Sequence, residues 1–135
     1  MKTILITGTS SGIGKATAKK FAAAGWNVIA TMRAPEKEEE LSAIKNIFLT
    51  KLDVQDKESI AAAIASGIEK FGSIDAIVNN AGFGVLGAFE KSTSEQIMQQ
   101  FSVNVFGVMD VIKAILPHFR EKQAGLIINI TSQGG

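Results

Sequence analysis

A chain of 135 residues is long enough for one domain with one core, burying roughly two-thirds of the surface its unfolded form exposes. Its composition, 46% hydrophobic and 20% charged with 13 glycines and 2 prolines, is that of a compact α/β protein and excludes disordered and fibrous classes. Fourteen basic against 13 acidic side chains leave a net charge of +1, so neither nucleic acid nor an anionic membrane is expected as a partner, and any anion must be held locally.

With no cysteine, disulfides, thiolate nucleophiles and thiolate zinc sites are ruled out, and the single histidine, His118, cannot build a metal cluster alone. No metal is expected, and the composition is compatible with a reducing, cytoplasmic location. The apolar run at the start breaks at Thr7 and Gly8 with no cleavage site after it, so it reads as a strand rather than a leader. No stretch approaches the ~18 uninterrupted apolar residues that a membrane span needs.

In chain order, Lys2 to Thr7 predicts a first strand. Ile13, Ala16, Thr17, Phe21 and Ala24 then fall on one face of a helix, with Lys15, Lys19 and Lys20 on the other and Gly25 as its C′ residue. Asn27 to Thr31 is the second strand. The charge run from Pro35 to Glu40 is expected to be the solvated first turn of a short helix, its carboxylates near the positive end of the dipole. Ile47 to Leu52 is the third strand, and Asp56 then caps a helix whose Ile60, Ala63, Ile64, Gly67, Ile68 and Phe71 form one apolar stripe. Ile74 to Asn79 is the fourth strand. A capping box at Ser92/Glu95 or Thr93/Gln96 opens a long helix expected to reach about Leu116 and stop at Pro117, with His118 on the surface at its end. Leu126 to Thr131 is the fifth strand.

Strands alternating with helical crossovers predict a single doubly wound domain over residues 1–135, a parallel sheet of five strands in the order 3-2-1-4-5. Ligands of such sheets bind outside the carboxyl ends of the strands, here between strands one and four.

The stretch Thr7-Gly-Thr-Ser-Ser-Gly-Ile-Gly14 lies between strand one and helix one. It is neither the common G-x-G-x-x-G fingerprint nor a P-loop, but the physics is shared: glycines turn tightly against a pyrophosphate, and free N–H groups at the helix start face the anion. Ser10 and Ser11 add hydroxyl donors. A merely glycine-rich turn is the alternative.

This motif resembles the Thr-Gly-x-x-x-Gly-Ile-Gly turn of the short-chain dehydrogenase/reductase family. Four further stretches match that family in order: Leu52-Asp-Val54, Asn79-Asn-Ala-Gly82, Val103-Asn-Val-Phe-Gly107 and Ile128-Asn-Ile-Thr-Ser132, so the resemblance covers nearly the whole chain. It implies a Rossmann-like fold and an NAD(P)-dependent oxidoreductase acting on a small carbonyl or alcohol. Gly8, Ser10, Ser11, Gly12, Ile13 and Gly14 are then implied to wrap the cofactor's phosphates and ribose, Asp53 and Val54 to meet the adenine, and Asn80, Ala81 and Gly82 to lie under the cofactor. Asp53 as a turn cap, and Asn79 and Asn80 as partners of strand-end backbone, are compatible readings.

NAD-preferring members usually carry an acidic residue where Met32 stands; here Arg33 follows, able to pair with a 2′-phosphate, and NADP is favoured over NAD. Arg33 as a plain surface charge is the alternative. Asn104, on the apolar face of the long helix with Ile97, Phe101 and Val108, needs a partner: a neighbouring carbonyl, or by resemblance a water of the proton relay. By the same resemblance Ser132 is the catalytic serine that orients the substrate oxygen, and turn chemistry is its alternative. Phe83, Val85 and Leu86 suggest an apolar wall for the substrate.

The family's Tyr-x-x-x-Lys is absent, and the chain contains no tyrosine. The expectation is therefore an amino-terminal, cofactor-binding portion of a longer reductase, inactive alone. Its long helix (Val105, Met109, Ile112) and strand five would lack cover, so it is expected to self-associate. A non-catalytic NAD(P)-binding module is the alternative. A methyltransferase would need a different glycine loop.

Overall fold

Apolar runs rich in Val, Ile and Leu form five strands: β1 (Thr3–Ile6), β2 (Asn27–Met32), β3 (Ile47–Lys51), β4 (Ala76–Asn79) and β5 (Leu126–Asn129). In this computed structural model, which describes residues 1–84 and 87–132, all pair in parallel in the order β3-β2-β1-β4-β5, the expected doubly wound sheet. Ile6 of β1 lies level with Ala30 of β2 and Val78 of β4, and β2 runs on to Met32 and β4 to Asn79, so the carboxyl ends of three neighbouring strands gather at one edge. Three crossovers are helical: α1 (Gly12–Ala23), α2 (Lys57–Phe71), and a long helix made of α3 (Ser94–Phe101), a π-helical turn (Ser102–Gly107) and α4 (Val108–Lys122); the fourth, from β2 to β3, runs through 3₁₀ turns at Pro35–Lys37 and Leu41–Ala43.

Period-two alternation splits the core into two layers. Leu5, Ile29 and Ile77 face Ile60, Ile64, Val111 and Ile115 on one side of the sheet. Ile4, Ile6, Val28 and Val78 face Ala18, Ala22 and Leu41 on the other. The α2 stripe is as expected, and Asp56 caps it by accepting from the Glu58 and Ser59 N–H groups. Of the two capping boxes, Thr93/Gln96 is the one that forms.

Four expectations are corrected. The buried face of α1 is Gly14, Ala18 and Ala22, whereas Ile13 is 65% exposed. Small residues win because α1 lies close against the sheet, and Gly14 has no room even for a methyl. Gly25 does follow the helix at φ +92°, with its N–H on Ala22 O and the Trp26 N–H on Phe21 O. The rings of Phe21 and Trp26 close this Schellman cap edge to face, 5.1 Å apart.

Pro117 does not stop the long helix, which continues to Lys122 and ends with Gln123 in the left-handed region. Proline removes one N–H and disfavours the turn before it, but burial of Val111, Ile115 and Phe119 on one stripe holds the helix to the sheet on both sides of it. His118 is accordingly half-buried inside the helix, its Nε2 accepting the Ile74 N–H at 3.0 Å. One turn on, Lys122 Nζ donates to Ile74 O and to Asp75 Oδ1, while Asp75 Oδ2 accepts the Thr3 N–H. This cluster ties the end of α4 to the starts of β4 and β1, at the sheet edge away from the glycine turn.

The charge run is not one solvated helical turn. Pro35–Lys37 is a 3₁₀ turn, after which the Glu38 side chain folds inward, 5% exposed, accepting the Leu41 N–H and pairing with Lys15.

The long helix runs 29 residues, Ser94–Lys122, with a mean hydropathy of 1.2 in its most apolar window, long and apolar enough to cross a membrane by length and composition. Uninterrupted runs in the sequence do not reveal this. Its Val111, Ile115 and Phe119 are packed into the core, which accounts for part of that hydropathy. Met98, Phe101, Val105, Phe106 and Met109 are exposed, and Ile112 is half-buried.

Candidate functional site

The carboxyl ends of the strands enclose a cleft of about 510 Å³. Its walls are Gly8, Ser10 and Ser11 of the β1–α1 turn, Met32 and Arg33 at the end of β2, Leu52 to Gln55 after β3, Asn80 to Phe83 after β4, and Gln99 and Val103 from the long helix. A cleft of this size outside the carboxyl edge suits an extended small ligand.

Buried threonines hold the rim together. Thr7 Oγ1 accepts the N–H groups of Asn80 and Ala81 at 3.0 and 2.9 Å, joining the turn after β4 to the end of β1. Thr9 donates through both N–H and Oγ1 to Thr31 O, and Thr31 Oγ1 donates to Ile6 O. Asn80 Nδ2 donates to Gly8 O at 3.1 Å. These contacts bring backbones so close that a Cβ on Gly8 would lie 2.8 Å from Ala81 Cα, and one on Gly14 only 2.1 Å from Gly8 O.

The start of α1 is open. Ser11 is its N-cap in extended conformation without a side-chain cap, and the first turn contains no acidic residue. The Lys15 N–H bonds Ser11 O, which leaves the amides of Gly12, Ile13 and Gly14 without an intrahelical acceptor. Three donors at the positive end of a helix dipole, beside a glycine turn no side chain fills, fit a phosphate.

Charges around the cleft are already sorted. Lys15 Nζ lies 3.2 Å from Glu38 and 3.4 Å from Glu40. The Glu38 hydrogen bond raises the Lys15 pKa, while the Leu41 N–H holds the Glu38 carboxyl below its ordinary value. Among the described residues that line the cleft, Arg33 is the cation and Asp53 the anion. Asp53 Oδ1 accepts the Gln55 N–H, and its backbone N–H and C=O both bond Ser59 Oγ, so the turn-cap role is real and holds Asp53 at the rim.

Asn104 lies in the π turn. Its Oδ1 accepts the Phe83 N–H at 3.0 Å and its Nδ2 donates to Phe83 O at 2.6 Å, so the backbone of one residue occupies both ends of the amide. Of its two expected partners, the structure shows the backbone one. A π turn breaks the regular ladder where a polar side chain must leave the helix face, a feature frequent at functional sites.

The sequence-derived residues therefore divide. Gly8, Ser10, Ser11, Arg33, Asp53, Val54, Asn80, Ala81 and Gly82 meet around the cleft. Gly12, Ile13 and Gly14 border it through the helix start, and Ile13 turns its side chain outward. Asn104 stands behind the Phe83 wall, and Ser132 follows β5 in an exposed position outside the lining. Val85 and Leu86 lie outside the described residues. Sequence reasoning missed Gln55, Gln99 and the tying role of Thr7; Thr7 was visible as a polar residue ending a buried strand, whereas nothing local marked the glutamines.

The sequence model described as short chain dehydrogenase matches residues 2–135. A 3-ketodihydrosphingosine reductase of Bacteroides thetaiotaomicron is 40% identical over 132 residues, 98% of this chain and 47% of that protein. The 3-ketoacyl-(acyl-carrier-protein) reductase of Brucella melitensis, solved with NADH, superposes with a TM-score of 0.92 at 33% identity, covering 98% of this chain and 57% of that one. An alcohol dehydrogenase of the archaeon Thermococcus sibiricus, solved with 5-hydroxy-NADP, gives a TM-score of 0.89 at 31% identity over 98% of this chain and 58% of that one. The chain spans about half the length of the curated relatives it matches. With its strand order, glycine turn and open helix start, it belongs to the short-chain dehydrogenase family.

Proposed function

We propose that this chain forms the dinucleotide seat of an oxidoreductase that moves hydride between a nicotinamide and the carbonyl or alcohol carbon of a small molecule, and that it takes NADP(H) in preference to NAD(H). The observation that carries this reading is the uncapped start of α1 opening on the cleft, with Arg33 at its β2 side. In this reading Gly8, Ser10, Ser11, Gly12, Ile13 and Gly14 hold the phosphates and ribose, Asp53 and Val54 flank the adenine, and Asn80, Ala81 and Gly82 floor the cleft. When bound, the nicotinamide supplies the hydride; the protein supplies position and proton transfer. Asn104 fixes the Phe83 wall, and Ser132 orients the substrate oxygen.

The preference for NADP rests on Arg33. Both cofactor forms occur among the similar solved structures, one with NADH and one with 5-hydroxy-NADP. Met32 is buried, so no carboxylate ends β2 to take a ribose hydroxyl and repel a phosphate. Fluorescence titration of NADPH and NADH tests this, and equal affinities would defeat the phosphate role of Arg33.

Family chemistry needs a general acid, and the 135 residues contain no tyrosine. The chain as it stands therefore binds nucleotide without turning over, which supports a binding module as the second reading. Steady NADPH oxidation with carbonyl substrates would refute both the inactivity and that module. The exposed Met98, Phe101, Phe106 and Met109 support self-association, which sedimentation at rising concentration measures. The cysteine-free composition supports a cytoplasmic setting, checked by fractionation.

A further inference from the structure

We infer that Gln55 and Gln99 form a clasp that fixes α3 as the outer wall of the purine end of the cleft and so sets how long a bound dinucleotide stays. The inference rests on the dinucleotide reading above and goes beyond it in naming the residues that govern release. Gln99 Nε2 donates to Gln55 Oε1 at 3.0 Å, and Gln55 Nε2 donates to Gln99 Oε1 at 3.3 Å, a closed amide pair between residues 44 apart in the chain. Both side chains line the cleft. Gln55 follows Asp53 in the β3–α2 turn, and Gln99 projects from α3.

No residue of α3 is buried. Its Thr93/Gln96 capping box is internal, and among the described residues the Gln55–Gln99 pair is the side-chain hydrogen bonding that joins α3 to the rest of the fold. With only Ile97 and Gln100 half-buried, packing holds α3 weakly, so this pair decides whether it stands over the cleft or away from it.

The phosphate seat lies at the start of α1 and the adenosine ribose meets the end of β2. The purine therefore falls between β2 and β3, where Asp53 and Gln55 stand and α3 closes the space. Two neutral hydrogen bonds between exposed amides are weak enough to open on each binding event and directional enough to bring α3 back to one place.

The test follows release of NADPH from the 135-residue chain by stopped-flow fluorescence, with equilibrium binding of NADPH and of an adenosine bisphosphate carrying the 2′-phosphate. Gln55→Leu and Gln99→Leu each speed release by about fivefold and weaken both ligands by about the same factor. The double Leu variant is no worse than either single one, because both remove one shared interaction. Gln55→Lys combined with Gln99→Glu replaces the amide pair by an ion pair and returns release to within about twofold of the parent, which a merely structural role would not do. Release unchanged in the single variants, additive losses in the double, or no recovery with the ion pair overturns the clasp. An unaffected adenosine bisphosphate overturns its placement at the purine end. A parent chain that binds no NADPH overturns the dinucleotide reading itself, whereas normal NADPH release in parent and variants alike overturns the clasp alone.

Discussion

Alanine at Gly14 would place its methyl 2.1 Å from Gly8 O and 2.5 Å from Asn80 Nδ2. Neither neighbour can step aside, because the first is backbone and the second donates to that same oxygen. The start of α1 would have to retreat by about 1 Å from the end of β1, in a region packed to crystal density. Overpacking against rigid backbone costs about 3 kcal/mol, of which the better helix propensity of alanine returns about 1 kcal/mol. The remaining ~2 kcal/mol, at an unfolding entropy of about 2.1 cal/mol/K per residue for 135 residues, lowers Tm by about 7 °C. Two other glycines calibrate the argument. A Cβ at Gly12 meets nothing within 4 Å, but the residue holds φ +55°, which costs about 1 kcal/mol and about 4 °C. A Cβ at Gly67 would lie 2.3 Å from Ile29 Cδ1, the far end of a flexible side chain, so rotation and helix propensity nearly cancel the clash. Thermal unfolding by circular dichroism measures the series, and NADPH titration should show Gly14→Ala the weakest binder. A Gly14→Ala chain melting within about 2 °C of the parent, or Gly67→Ala as the most damaging change, would refute the claim that contact limits this turn.

Three further substitutions probe separate features. Arg33→Ala weakens NADPH binding by about tenfold and leaves NADH unchanged, as a charge-assisted contact at an exposed site predicts; equal losses for both would sink the assignment. Asn104→Ala releases both backbone groups of Phe83, costing about 1.5 kcal/mol or about 5 °C, and hydrogen exchange at the Phe83 amide should rise; an amide as protected as in the parent would show that the bonds do not form. At Asp75, burial pushes the carboxyl pKa up, but the Thr3 N–H and the Lys122 ammonium outweigh it and hold the pKa below its ordinary value. Its stabilisation is thus complete above the ordinary value of about 3.9 and is lost as pH falls through the lower folded value. The parent should lose stability more steeply than Asp75→Asn as pH falls below about 4, and parallel pH profiles would contradict this.

Features that depend on near neighbours in the chain were legible. Alternating apolar runs and crossover lengths yield the strand order, Asp56 and the Thr93/Gln96 box announce helix starts, and the glycine spacing of Thr7 to Gly14 locates the open turn at the rim of the cleft. The face of α1 was misplaced because counting apolar bulk selects Ile13, while close approach to the sheet selects Gly14, Ala18 and Ala22. Pro117 is a breaker by local chemistry, yet the stripe of Val111, Ile115 and Phe119 outweighs one missing N–H. The Lys15–Glu38 pair spans the whole of β2, His118 reaches back to Ile74, and Gln55 finds Gln99 across 44 residues. Such contacts come from topology, so no local pattern announces them.

The long helix is packed into the core at one end only, and elsewhere it is held by side-chain hydrogen bonds, Gln99 to Gln55 and Asn104 to Phe83. Phe119 sits in the core, His118 grips Ile74, and Lys122 grips Asp75, which in turn holds Thr3. At the other end no residue of α3 is buried, and the π turn Ser102–Gly107 lies between the two. Melting of such a helix has a direction. Fraying begins at Ser94 and travels toward Gly107, where the π turn, its ladder already out of step, acts as a firebreak that keeps the loss from spreading into α4. The amides of Glu95 to Phe101 should thus exchange with solvent long before those of Val111 to Phe119. One continuous helix behaves as two bodies: a beam that belongs to the sheet, and a leaf that can swing without cost to it.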